Sequence, residues 1–197
     1  MANDTKERML EAALGIFARD GYAGANIKDM AEAVGLVKSA FYKHYSGKEE
    51  IWDCVVEWMS AYYEERFGSR KNPPPIPKST AELEALTLRQ LDFTVHDEKV
   101  VMTRKLLMTE QFRDEKIAKL ASEHFGEGLE GMFTVIFSGM MENGSLEACD
   151  PAMLAFIYTA TISSLVHLCD REPEKEAEAF DKAVAFIRHF CETYGRK

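Results

Sequence analysis

The sequence predicts an all-α protein, and three observations carry that prediction. Apolar residues recur with a period close to 3.6 along most of the 197 residues. No convincing strand pattern of alternating apolar and polar residues interrupts them. Glycine, proline and asparagine punctuate the ends of the periodic runs. The expectation is about nine helices, arranged as a three-helix head over residues 1–46 and a helical C-terminal region over 47–197.

Each element has its own signals. Leu10, Ala13, Leu14 and Phe17 share one helix face, and Asp20-Gly21 stops that helix. Ile27, Met30, Ala31 and Val34 mark a short second helix, with Asn26 able to cap its start and Gly35 just past its end. A third short segment runs from Lys38 to His44, and Ser46 to Glu50 opens a longer helix that ends near Phe67-Gly68. Asn72 to Pro77 is a proline-rich connector that cannot be helical. Ser79 or Thr80 then caps a helix to about Val95, followed by helical stretches at 98–112 and 115–141. Asn143-Gly144 stops the last of these. Asp150-Pro151 starts a helix that reaches Cys169, and after Arg171-Glu172-Pro173 a final helix covers about 174–194.

Composition sets the function classes. Hydrophobic residues are 46% and charged residues 29%, which excludes a disordered or collagen-like chain. The net charge is −9, but residues 1–50 hold seven Lys/Arg against eight Asp/Glu, so the acidity lies in the rest of the chain. Cys54, Cys149, Cys169 and Cys191 have no metal-ribbon or redox spacing, and are expected to be small buried hydrophobes in a reducing compartment. The N-terminal stretch has no secretory apolar core, and no 18-residue apolar run is evident, so a cytoplasmic protein without a membrane span is expected. The histidines His44, His96, His124, His167 and His189 show no metal-ligand spacing, and no nucleophile motif selects a catalytic triad. No metal, no cofactor and no enzymatic activity are expected.

The segment that carries function is 26–48. A short helix, a tight turn at Gly35 and a second short helix form a helix-turn-helix, whose second helix enters the major groove. From Leu36 to Lys48 there are three lysines, one histidine and no acid. Phe41 and Tyr45 are spaced to face inward, and Lys38, Ser39, Tyr42 and Lys43 to face outward. Hydroxyl and ammonium groups of this kind are phosphate partners. Lys48 opens the next helix, where a phosphate is favoured. The candidate DNA-contacting set is Asn26, Lys28, Lys38, Ser39, Tyr42, Lys43, His44 and Lys48.

The stretch from Arg8 to Trp52 resembles the tetracycline-repressor (TetR) family of transcriptional regulators. The resemblance rests on Ala12-Ala13, Leu14, Phe17, Gly21-Tyr22, Ile27, Met30-Ala31, Val34-Gly35-Leu36, Phe41-Tyr42, His44-Tyr45 and Lys48-Glu49. It implies a homodimer that binds a palindromic operator in double-stranded DNA and is released by a small-molecule effector. By position it implies that Lys38 and Ser39 face the groove, that Tyr42, His44 and Lys48 contact phosphates, and that Phe41 and Tyr45 belong to the head core. Two positions depart from the pattern. Val37 stands where the family commonly has Ser or Thr and cannot cap, and Asn26 stands where it often has Thr and can.

Three features have competing readings. Gly126 to Gly131 spells a dinucleotide fingerprint, but no strand precedes it, so the glycines are expected to allow close packing. The C-terminal aromatics and methionines serve a helical core or line the effector cavity that the resemblance implies. The candidates for the cavity are Trp58, Met59, Tyr62, Phe93, Met102, Leu106, Phe125, Phe133 and Tyr158. Leu154, Ile157, Thr161 and Leu165 form one apolar stripe, and Phe180, Val184, Ile187 and Phe190 another. They suit a four-helix dimer interface or an intramolecular core. The alternative function is a helical small-molecule-binding protein or protein-interaction adaptor with a degenerate DNA-binding head, which Val37 favours.

Overall fold

The computed structural model describes residues 2–196, with side chains from Thr5 onward. Its helices are α1 (Ala2–Gly24), α2 (Ile27–Ala33), α3 (Lys38–Phe41), α4 (Lys48–Phe67), α5 (Thr80–His96), α6 (Glu98–Glu110), α7 (Glu115–Phe125), α8 (Glu127–Glu142), α9 (Pro151–Arg171) and α10 (Glu176–Tyr194). A 3₁₀ turn at Pro173–Lys175 precedes α10. The only β pairing among the described residues is an isolated bridge between Leu146 and Gly195. The protein is all-α. The count exceeds the expected nine because the segment expected over 115–141 is two helices, broken at Gly126 by a non-helical backbone (φ −126°, ψ −125°).

The caps explain where the helices begin. The Asn26 side chain accepts from the Asp29 N–H at 3.0 Å, and Ser79 Oγ accepts from the Glu82 N–H at 3.2 Å. Glu82 reciprocates by accepting from the Lys78 N–H at 2.8 Å. Asp150 Oδ1 accepts from the Ala152 N–H at 3.0 Å, with Pro151 at the first helical position. Gly21 interrupts α1 with a left-handed φ of 68°, a conformation most side chains avoid.

The chain packs into two compact units. The first holds residues 1–65 and 98–121, and the second 66–97 and 122–197. In the first unit α1 packs against α2 and α6, and its core includes Met9, Leu14, Phe17, Met30, Phe41, Tyr45, Ile51, Trp52, Val55, Leu106 and Ile117. In the second, α9 packs against α8, α10 and α5 around Met132, Phe133, Ile136, Phe137, Met140, Leu154, Tyr158 and Phe190.

Two glycines of the 126–139 region serve close packing in the second unit. A Cβ on Gly131 would stand 2.9 Å from Arg70 Cδ, and one on Gly139 would stand 2.9 Å from Ile76 Cγ2. What approaches α8 is thus the proline-rich connector as well as helices. The connector is held further by the Asn143 Nδ2, which donates to the Pro77 carbonyl at 2.9 Å.

By length and apolar composition alone, α9 could cross a membrane. This differs from the expectation of no such segment. A core helix of a packed bundle meets the same criteria, and α9 buries Leu154, Ala155, Tyr158, Thr159, Val166 and Cys169 within its own unit. The cysteines form no disulfide among the described residues. Cys169 is buried, Cys54 and Cys191 are half-buried, and Cys149 is exposed, unlike the small buried hydrophobe expected.

Candidate nucleic-acid interface

The head places its polar and apolar residues on different sides of α3. Phe41 and Tyr45 are buried, with ring centroids 5.6 Å apart. The Tyr45 hydroxyl donates to the Lys6 carbonyl at 3.4 Å, and burial pushes its pKa up to about 12. Anchored this way, α3 leaves Lys38, Ser39, Tyr42 and Lys43 exposed. Neither Lys38 nor Lys43 makes an ion pair among the described residues. α3 itself is short, because after Phe41 the chain tightens into turns that bring the His44 N–H to the Phe41 carbonyl at 2.9 Å. His44 is half-buried there. The Ser46 N–H then donates to Glu50 Oε2 at 2.5 Å, which holds that carboxyl below the ordinary carboxylate range and starts α4.

The remaining candidates are engaged locally. Asn26 uses its amide oxygen as the α2 cap, and its Nδ2 donates to Asp29 Oδ2 at 2.6 Å. Exposed Lys28 faces Glu32 at 3.7 Å, an i,i+4 pair of small energetic weight. Lys48 is half-buried, and its ammonium donates to the Tyr22 carbonyl at 2.8 Å and the Ala25 carbonyl at 3.0 Å. It also stands 4.6 Å from the Tyr22 ring centroid. That ring meets Trp52 edge-on at 5.0 Å, and Phe17 meets Trp52 at 4.8 Å. Lys48 therefore clamps the turn between α1 and α2 onto the start of α4. Sequence spacing shows a lysine at the start of a helix, but not the two carbonyls beside it, one near the end of α1 and one in the turn that follows.

Val37 begins α3 without a side-chain cap and is 68% exposed.

The candidate effector residues fall into separate groups. In the first unit Trp58 and Tyr62 are half-buried with centroids 6.1 Å apart, and the Lys99 ammonium stands 5.2 and 5.6 Å from the two rings. Met102 is half-buried, while Met59 and Leu106 are packed in the core. In the second unit Phe133 and Tyr158 are core residues 5.3 Å apart, and Phe93 and Phe125 are half-buried. The Tyr158 hydroxyl lies 2.5 Å from Thr87 Oγ1, a partner that helical periodicity alone does not single out. Burial raises the Tyr158 pKa.

The two apolar stripes divide in the same way. Leu154, Ile187 and Phe190 are buried within the protomer, which leaves them no surface to offer a partner chain. Leu165 and Phe180 pack on the satellite core of Leu91, Val166 and Ala183. Ile157 is exposed, and Thr161 and Val184 are half-buried. Met153 and Phe156, which the stripe pattern leaves out, are 55% and 54% exposed on α9.

Residues 9–53 match the family model described as bacterial regulatory proteins, tetR family. The repressor KstR2 of Mycobacterium tuberculosis is 29% identical over 75 residues, covering 36% of this chain and 38% of its own length. The biofilm-operon negative regulator IcaR of Staphylococcus epidermidis is 33% identical over 58 residues, covering 29% and 31%. The chain thus spans about a third of the length of these relatives. SmeT, repressor of the Stenotrophomonas maltophilia efflux pump SmeDEF, shares the fold with a TM-score of 0.69 at 18% identity, covering 98% of this chain and 91% of SmeT. SmeT in complex with triclosan gives a TM-score of 0.68 at 19% identity, covering 98% and 93%. Residues 9–53 thus carry a head of the tetR type, and the whole chain shares the fold of these solved regulators.

Proposed function

We propose that the protein is a cytoplasmic, ligand-responsive transcriptional repressor that binds a palindromic operator as a homodimer. The observation that carries this reading is the acid-free run from Leu36 to Lys48 in a chain of net charge −9, exposed as Lys38, Ser39, Tyr42 and Lys43 over a buried Phe41-Tyr45 anchor. Those side chains suit groove and phosphate contacts, and the surrounding acidity keeps other surfaces off DNA. Residues 1–46 serve as the DNA-binding domain and 47–197 as the effector and dimer region. Lys28, His44 and Lys48 supplement the contact set, and Asn26 orders it.

The dimer face is α9, through Met153, Phe156, Ile157 and Thr161. This helix is apolar on two sides, and its own unit covers only one of them. The effector has an apolar or aromatic body, read by side chains of the first unit such as Trp58, Tyr62 and Met102, which packing leaves partly accessible. The binding of triclosan by SmeT supports this class. No catalytic step is assigned to any residue.

Selection of bound sequences from a random duplex pool, at two salt concentrations, tests the reading. An enriched palindrome is expected, with log affinity falling by roughly 0.9 per phosphate contact per log unit of salt. Absence of binding at low salt would instead favour a small-molecule-binding protein with a degenerate head.

A further inference from the structure

Among the described residues Val37 is the most exposed branched aliphatic side chain, at 68%. It occupies the cap position of α3 with an extended backbone (φ −81°, ψ 152°) and makes no capping hydrogen bond. At the same position Asn26, Ser79 and Asp150 each accept an N–H of their own helix. The chain therefore forgoes a stabilising cap on the helix that carries the exposed lysines, and presents an isopropyl group to solvent there. Its immediate neighbours Lys38 and Ser39 are exposed, as are Tyr42 and Lys43 one turn on.

We propose that Val37 determines sequence specificity by packing against the 5-methyl group of a thymine in the major groove. This rests on the DNA-binding reading of the head. The chemistry is selective, because hydrogen-bonding edges line the major groove and the thymine methyl is its apolar feature. A β-branched side chain also presents its two methyl groups with little rotamer freedom to lose. Lys38 and Lys43 supply the attraction to phosphates that brings the isopropyl group within reach.

The experiment uses the full chain and the duplex enriched by selection. Each thymine is replaced in turn by uracil, which removes only the methyl group, and affinities are compared for the wild type and Val37→Ser. Serine restores a cap, and a melting temperature at or above that of the wild type verifies that the fold is kept. At one thymine position uracil is expected to weaken the wild type roughly fourfold, the scale of one buried methyl group, and to leave the Val37→Ser variant unchanged. An equal uracil penalty in both proteins, or an enriched site lacking thymine, overturns the proposal while DNA binding stands. Failure to bind any duplex at low salt removes the DNA-binding reading, and this proposal with it.

Discussion

Glu110 fills the space that a side chain on Gly21 would need. A Cβ there would stand 2.6 Å from Glu110 Oε1, and the same oxygen accepts from the Tyr22 N–H at 3.4 Å. The carboxylate is 4% exposed and is also met by Arg113 at 3.4 Å. The break in α1 is therefore built around a buried acceptor on α6. Gly21→Ala is expected to destabilise the protein by about 2 kcal/mol, from the left-handed φ and the displaced carboxylate. Urea denaturation measures this, and a change within about 0.5 kcal/mol, the range of an ordinary surface substitution, would discard the account.

Lys48 is expected to act twice. Lys48→Ala removes two charge-assisted hydrogen bonds and a cation–ring contact from the turn after α1. A loss of roughly 1–3 kcal/mol in urea denaturation is expected. Binding to specific and random duplexes should weaken alike, with the salt slope reduced by about one. A lowered urea midpoint with an unchanged slope would make Lys48 a clamp of the head and strike it from the phosphate contacts.

The Thr87–Tyr158 pair should respond asymmetrically. Thr87 Oγ1 donates to the Leu83 carbonyl at 2.9 Å, so the Tyr158 hydroxyl is the donor in the 2.5 Å contact between the two side chains. Tyr158→Phe deletes that donor and leaves Thr87 bonded, at a cost of about 1 kcal/mol. Thr87→Val strands a buried hydroxyl and is expected to cost more, about 1–3 kcal/mol. Calorimetry that ranks the two variants the other way would reverse the donor assignment.

His96 joins α5 to α10 in the second unit. Its Nε2 lies 3.0 Å from Glu176, its Nδ1 lies 2.9 Å from Asp92, and its ring stacks on Phe180 at 5.8 Å. The hydrogen bond with Glu176 chiefly raises the His96 pKa above the ordinary 6.5; burial opposes it, and Asp92 adds to the rise. A raised folded-state pKa means stability that is fully present below the unfolded value and lost as pH rises through the folded one. The melting-temperature gap between the wild type and His96→Ala should therefore be wider at pH 5.5 than at pH 8, both chosen to bracket the ordinary value approximately. A gap that does not narrow would mean the imidazole bonds in its neutral form.

Much of this was legible in the sequence where local chemistry decides the outcome. Asn26, Ser79 and Asp150 announced their helix starts because a cap is made by residues three apart. The Phe41-Tyr45 spacing announced the inward side of the head for the same reason. Legibility failed where a partner distant in sequence decides. Gly126 split a continuous apolar period, and Lys48 found carbonyls more than twenty residues away. Leu154, Ile187 and Phe190 carry a stripe that periodicity cannot tell from the outward face of the same helices. Met153 and Phe156 became notable only once the buried side of α9 was known.

The proline-rich stretch before α5 has a composition that usually marks a severable tether. Here Ile76 sits in the notch at Gly139, Pro77 is buried, and its carbonyl is tied to Asn143. Cutting the chain at that stretch would open the flank of α8 instead of freeing an intact module. Gene designs that treat it as a natural joint for fusions or truncations would be dismantling a wall.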